Sequence, residues 1–290
     1  MTLKLGFLAL LDAAPLLVAK ERGFFAEQGL EVELLRQSSW AGLRDKLAVG
    51  ALDGAQMLAP MVLASTLGLG GFKEPLVTEL DLNIGGNSIT LSGEATEGRA
   101  LTFGIVHPFS SHHYEMRLWL EAAGLEAKLV VVPPAQMLSH LSAGLIDGYC
   151  AGEPWGHLAA RSGLGRVVAT SRRICPGRIE KVFAVRRQWA ESHQDTHRKL
   201  VQALSGAALW CDQPENRAEL AELLSHPCHV NAPRPLLRVL LESEDRPVFT
   251  TQGPDFSWHD QGRWYLDQMR RWGQLPEEIE IIPSFAGERA

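Results

Sequence analysis

The chain has 290 residues, of which 46% are hydrophobic and 21% charged. Such a composition belongs to ordinary globular domains and excludes a disordered or fibrous chain, while the length suits one large domain or two lobes. With 28 basic against 34 acidic residues, a net charge of −6 and no long basic run, nucleic acid is excluded as the main direct partner.

Taken in order, an apolar strand at 3–8 leads into a turn carrying Asp12 and a helix at 14–22. Gly29 then precedes a strand at 30–35, the loop Ser38-Ser39-Trp40, a helix ending at Gly50, and a strand at 55–59. The second half repeats this pattern: strand 101–106, helix 111–123, Gly124, strand 128–132, a helix ending at Gly144 and strand 149–152. The repeat is visible in the residues themselves, because Leu47-Ala48-Val49-Gly50-Ala51-Leu52-Asp53-Gly54 recurs as Leu141-Ser142-Ala143-Gly144-Leu145-Ile146-Asp147-Gly148, an offset of 94. In each copy a glycine ends a helix and an aspartate turn feeds a short strand. After position 185 the pattern turns helical, at 196–210, 215–224, 235–241 and 258–272, followed by a polar tail after Pro276.

Strands alternating with helices predict an α/β fold with mostly parallel sheets covered on both faces, and a ligand crevice beyond the carboxyl ends of the strands. Two such lobes facing each other describe a hinge-closing binding protein. The expected lobes are 1–90 with 186–290, and 91–185, with β-prone crossings at 87–91 and 182–185 and the helical C-terminal part on the first lobe.

No run approaches the ~18 apolar residues of a membrane helix. The chain is expected to start directly on its first strand without a secretory leader, and so to be cytoplasmic. Cys150, Cys175, Cys211 and Cys228 have no metal-ligand spacing and are expected to be reduced and mostly buried. His107, His112, His113 and Glu153 do not form a helix-face metal pair, and no GxSxG, P-loop or GxGxxG motif is present, so neither a metal, a cofactor nor catalysis is expected.

The residues that follow strands are rich in donors: Trp40, Asn87, His112, Gln136 and Lys181. A donor-rich pocket with one lysine suits a small delocalised monoanion better than a phosphate ester, which favours arginine forks. Glu153 either pairs with Lys181 across the cleft or accepts a hydrogen bond from a proton-bearing ligand group; nitrate offers only acceptors, whereas bicarbonate carries an O–H that a carboxylate can accept. Pairing is the favoured expectation, because an unpaired buried charge is costly.

The stretches Ser38-Ser39-Trp40, Met57-Leu58-Ala59-Pro60-Met61, Val132-Pro133-Pro134-Ala135-Gln136-Met137 and Gly152-Glu153-Pro154-Trp155 resemble the nitrate- and bicarbonate-binding branch of the type II periplasmic-binding-protein fold, over roughly residues 1–275. Within it, the chain is similar to the NasS-type cytoplasmic nitrate and nitrite sensors. The resemblance implies that the anion-free form sequesters an ANTAR-type RNA-binding antiterminator and that nitrate or nitrite releases it. It implies a ligand set of Trp40, Asn87, His112, Pro134, Gly152, Glu153 and Lys181, with Ser110 and His113 as neighbours. The alternative is the solute-binding component of an ATP-driven importer for nitrate, bicarbonate or a sulfonate.

Overall fold

In the computed structural model, which describes residues 2–71, 73–93, 100–250 and 256–276, the described strands form two five-stranded sheets of matching connectivity. The first contains β1 (Leu3–Leu8), β2 (Val32–Gln37), β3 (Gly54–Leu58), β4 (Leu76–Ile84) and β10 (Ile179–Arg186), in the order β2-β1-β3-β10-β4. The second contains β5 (Asn87–Ser92), β6 (Leu101–Ile105), β7 (Ala127–Val131), β8 (Gly148–Gly152) and β9 (Gly165–Thr170), in the order β7-β6-β8-β5-β9. Position for position, β6, β7, β8 and β9 stand where β1, β2, β3 and β4 stand, so the sequence repeat is a repeat of topology.

The paired aspartates show what the repeat preserves. Asp53 accepts a hydrogen bond from the Lys4 backbone at 2.8 Å, and Asp147 accepts one from Thr102 at 2.8 Å. Each fastens the turn before the third strand to the first strand of its lobe. Gly50 and Gly144, with φ of 75° and 67°, end the preceding helices in the left-handed region that favours glycine.

Each sheet is mixed rather than wholly parallel, because one strand is reversed. β10 runs antiparallel between β3 and β4, and β5 antiparallel between β8 and β9. These reversed strands are the expected crossings, and they lie beyond the boundaries drawn from sequence: Asn87–Ser92 is in the second sheet and Ile179–Arg186 in the first. The chain changes sheets at Gly85 and Gly86, whose φ values of 75° and 103° make the turn. β4 and β9 were not expected, since Thr78, Asp81 and Asn83 interrupt the apolar pattern of one and the other is a half-exposed edge.

Helix Gln194–Asp212 lays Leu200, Ala203, Leu204 and Ala207 into the core beneath the first sheet. The last described helix, Trp258–Arg271, reaches both lobes. Its Tyr265 hydroxyl donates to the Ile179 carbonyl, and Arg271 pairs with Glu121 at 2.6 Å. Just beyond it, Gln274 accepts from the Tyr114 hydroxyl at 2.9 Å and donates to the Pro108 carbonyl at 3.0 Å. Cys150, Cys175 and Cys211 are buried free thiols and Cys228 is exposed. Among the described residues no helix is long and apolar enough to cross a membrane.

Packing between strands in the second lobe is tight enough to test. A Cβ at Gly148 would lie 2.4 Å from the Thr90 carbonyl oxygen, a backbone atom that cannot swing aside. Gly148→Ala is expected to cost about 1–3 kcal/mol in urea unfolding, the usual range for overpacking. An unchanged midpoint would contradict the β5/β8 packing.

Candidate functional site

The site is organised around a lysine in the middle of an apolar strand. Lys181 in β10 has no solvent exposure. Its ammonium has three donors, and each has an acceptor: Asp12 Oδ2 at 2.8 Å, Asn87 Oδ1 at 2.6 Å and Glu180 Oε2 at 3.1 Å. Burial alone would lower its pKa, but the Asp12 and Glu180 carboxylates outweigh burial and raise it, so Lys181 stays charged.

Asp12 comes from the short turn after β1 and is held by Gln56 of β3. The Gln56 amide donates to Asp12 Oδ1 while its oxygen accepts from the Leu8 backbone at 2.8 Å. Asn87, at the start of β5, presents its oxygen to Lys181 and its amide nitrogen to Ser111 Oγ at 3.0 Å and to both oxygens of Glu115, at 3.2 and 3.1 Å. Asn87 is therefore a second-lobe bridge whose donors are already engaged, a correction to its expected role as a free first-lobe donor.

His112 lies in the first turn of helix Ser111–Ala123, which Ser110 caps by accepting from the His113 backbone at 3.1 Å. It is completely buried, and neither ring nitrogen finds a partner among the described residues. Burial first, and the nearby Lys181 charge second, hold its pKa well below the usual histidine range, so the ring is neutral: one nitrogen donates and the other accepts. Trp40 opens helix Trp40–Ala48 after β2, and its buried indole nitrogen also lacks a partner among the described residues. Unsatisfied buried donors call for a ligand or water, because each costs ~1–3 kcal/mol when left unpaired.

Gly152 ends β8 opposite Asn87, where a Cβ would lie 3.2 Å from Asp12 Oδ2 and 3.5 Å from Asn87 Oδ1. Pro134 follows β7 and lines a cleft pocket with Leu10 and Ser38 of the first lobe and Trp155 of the second. Glu153 departs from the favoured expectation. Its carboxylate takes Ser88 Oγ at 2.6 Å, His157 Nδ1 at 2.9 Å and the His157 backbone at 3.2 Å, and it does not pair with Lys181. The chain turns after Gly152 so that Glu153 serves the first turn of helix Trp155–Arg161, and Lys181 has no donor left over. The Glu153 carbonyl accepts from the Leu11 backbone at 2.9 Å, tying the two lobes.

His107 and His113 are held neutral, with pKa values near 4 that burial lowers first. Among the described residues no group of three metal-ligating side chains converges. Sequence reasoning missed Glu115, Gln56 and Ser88. Glu115 stands three positions after His112 and four after Ser111, on one helix face, a spacing that could have placed it here.

Known proteins resemble this chain in sequence and fold. The model of the NMT1-like family matches residues 1–225. The nitrate import ATP-binding protein NrtC of Synechocystis is 36% identical over 97% of this chain, and the chain spans about half its length, 48%. The nitrate/nitrite binding protein NrtA of Synechocystis is 31% identical, covering 96% of this chain and 72% of that protein. The crystal structure of periplasmic NrtA from Synechocystis superposes with a TM-score of 0.90 at 29% identity, over 96% of this chain and 83% of that one. The bicarbonate-binding protein CmpA of Synechococcus elongatus is 30% identical, covering 98% and 73%. With the repeated topology, the cleft and these relatives together, the chain belongs to the NMT1-like family of solute-binding proteins, in the group that includes NrtA and CmpA.

Proposed function

We propose that the chain binds nitrate or nitrite between its lobes and acts as a sensor for nitrate assimilation in the cytoplasm. The observation that carries the anion reading is the pair of buried side chains whose nitrogens find no partner among the described residues, His112, which feels the Lys181 charge, and Trp40 of the first lobe. Nitrate and nitrite have only acceptors, which the Trp40 indole N–H and the His112 donor nitrogen can meet. Lys181 supplies the positive field. Gly152 and Pro134 let the ligand approach backbone closely, and Glu153 holds the second-lobe side of the cleft through Ser88 and His157. Binding joins residues of both lobes and so favours the shut form.

A ligand of about four heavy atoms gains at most ~−1.5 kcal/mol per atom, or ~−6 kcal/mol, a dissociation constant of tens of micromolar. Calorimetry with nitrate, nitrite and bicarbonate is expected to show 1:1 binding in that range, and silence with all three anions would refute the anion reading. Gly152→Ala is expected to weaken binding about tenfold with little change in stability, because its Cβ enters the space beside Asp12 and Asn87. Unaltered calorimetric affinity in that variant would separate Gly152 from the site.

The sensor reading rests on the likeness to NasS-type proteins, in which the anion-free chain holds an ANTAR-type antiterminator. A second reading, the solute-binding part of an importer, is favoured by the match to a stretch of a protein named for nitrate import. Co-purification decides between them. A sensor retains the antiterminator without nitrate and releases it when nitrate is added; an importer component never retains it.

A further inference from the structure

The Lys181 ammonium is faced by more carboxyls than it can balance. Asp12, Glu180 and Glu115 are each at most 3% exposed. Asp12 and Glu180 bond to Lys181 directly, and Glu115 shares the Asn87 amide with it. One oxygen of Glu180, Oε1, has no partner among the described residues. Fully ionised, three carboxylates and one ammonium leave a buried net charge of −2, and an entering anion makes it −3. Charges this close in a low-dielectric interior repel strongly.

Resting on the anion reading above, we propose that Glu115 is a proton-holding residue of this site, and that the chain takes in its anion only while the Glu115 carboxyl is neutral. The surroundings of Glu115 support this. From β5, Asn87 faces it; from β8, Cys150 lies 3.5 Å from Oε2; from β10, Glu180 and Lys181 act on it. Cys175 and Tyr265, on elements packed alongside, are neutral thiol and phenol groups whose pKa values burial raises. Lys181 is the cation acting on Glu115, and Asp12 and Glu180 already bind it. Burial first and Glu180 second push the Glu115 pKa up to about 8, against the pull of Lys181 and Asn87.

The sign follows from linkage. A raised carboxyl pKa keeps the neutral, binding-competent form below about pH 8, and that form is lost as the pH rises through this value. An anion that repels ionised Glu115 raises its pKa further, so binding above that pH takes up a proton. Glu115 acts through charge and through Asn87 rather than by touching the ligand, and is a positioning residue.

Nitrate is the appropriate probe because it carries no proton in this range, so any pH dependence belongs to the protein. Calorimetric titration with nitrate from about pH 6 to about pH 9.5 is expected to show constant affinity below neutrality and up to a tenfold loss per unit above about pH 8. Repeating the alkaline titrations in buffers of different ionisation enthalpy is expected to report close to one proton taken up per nitrate. In Glu115→Gln, which keeps the shape and cannot ionise, affinity becomes flat across the range. An infrared carboxyl band at neutral pH, absent in that variant, is expected from the anion-free protein. Nitrate binding without proton uptake above about pH 8 in wild type would overturn the Glu115 role while leaving the anion reading intact. No nitrate binding at any pH would overturn both. Absence of the carboxyl band would overturn the role independently of any ligand.

Discussion

Replacing Lys181 with methionine is expected to destabilise the chain by about 3–5 kcal/mol at neutral pH and to abolish anion binding. Methionine fills nearly the same volume, so the loss is electrostatic rather than a cavity effect. It leaves Asp12 and Glu180 buried, facing each other and Glu115 without a cation, and the Asn87 oxygen without its 2.6 Å donor. The direction with pH is fixed by the same groups. In the wild type, the raised Lys181 pKa means that its contribution is present below the ordinary lysine value of ~10.4 and is lost only as the pH rises through the folded value. In the variant, acidification neutralises the stranded carboxyls, so the deficit shrinks from neutral pH to about pH 5. Urea unfolding of both proteins at the two pH values checks this, and a deficit below about 1 kcal/mol at neutral pH would show that Lys181 does not balance this cluster.

Trp40→Phe separates packing from recognition. Trp40 is 1% exposed among apolar residues that include Leu8, Leu10, Met57 and Leu58, so most of its contribution to folding comes from ring area that phenylalanine largely retains. The lost group is the indole N–H, which is unpartnered among the described residues. Stability is therefore expected to change by less than about 1.5 kcal/mol, because the swap relieves one unsatisfied donor while removing some contact area. Nitrate affinity is expected to fall about ten- to hundredfold, the cost of one hydrogen bond to a charged acceptor. Equal affinity in wild type and variant, measured by calorimetry at neutral pH, would assign Trp40 to packing alone.

Much of the scaffold was legible because the repeat is written in punctuation. Gly50 with Asp53 and Gly144 with Asp147 mark turns whose φ angles and hydrogen bonds leave few substitutes. That signal gave the first three strands of each lobe. It could not give β4, where Thr78, Asp81 and Asn83 are buried and the Thr78 hydroxyl and Asn83 amide donate to the Leu80 and Gly85 carbonyls, a pattern that reads as loop when only hydropathy is consulted. Nor could it assign the reversed strands, because sheet membership of Asn87–Ser92 depends on pairing with Tyr149 and Val167, residues far along the chain.

At the site, the donors at the strand ends were legible because loops after parallel strands collect there. What sequence reasoning could not supply was the partition of partners. Glu153 and Lys181 both stood in the right neighbourhood, but which carboxylate meets the ammonium depends on side-chain direction. Here the turn after Gly152 sends Glu153 toward Ser88 and His157, while the turn after β1 sends Asp12 to Lys181. Glu115 was missed because an acidic residue inside a helix normally marks its solvent face, and only the fold reveals that this face is buried against Asn87 and Cys150.

The most direct measurement is a nuclear magnetic resonance titration of isotope-labelled indole N–H groups, of which the chain has eight, with nitrate. The signal absent from Trp40→Phe is expected to move saturably at micromolar nitrate, as an N–H acquiring an anionic acceptor does, and to move farther than the other seven. If that signal stays in place while nitrate, nitrite and bicarbonate are each raised to millimolar excess, no oxyanion meets the indole, and the account of the cleft is contradicted.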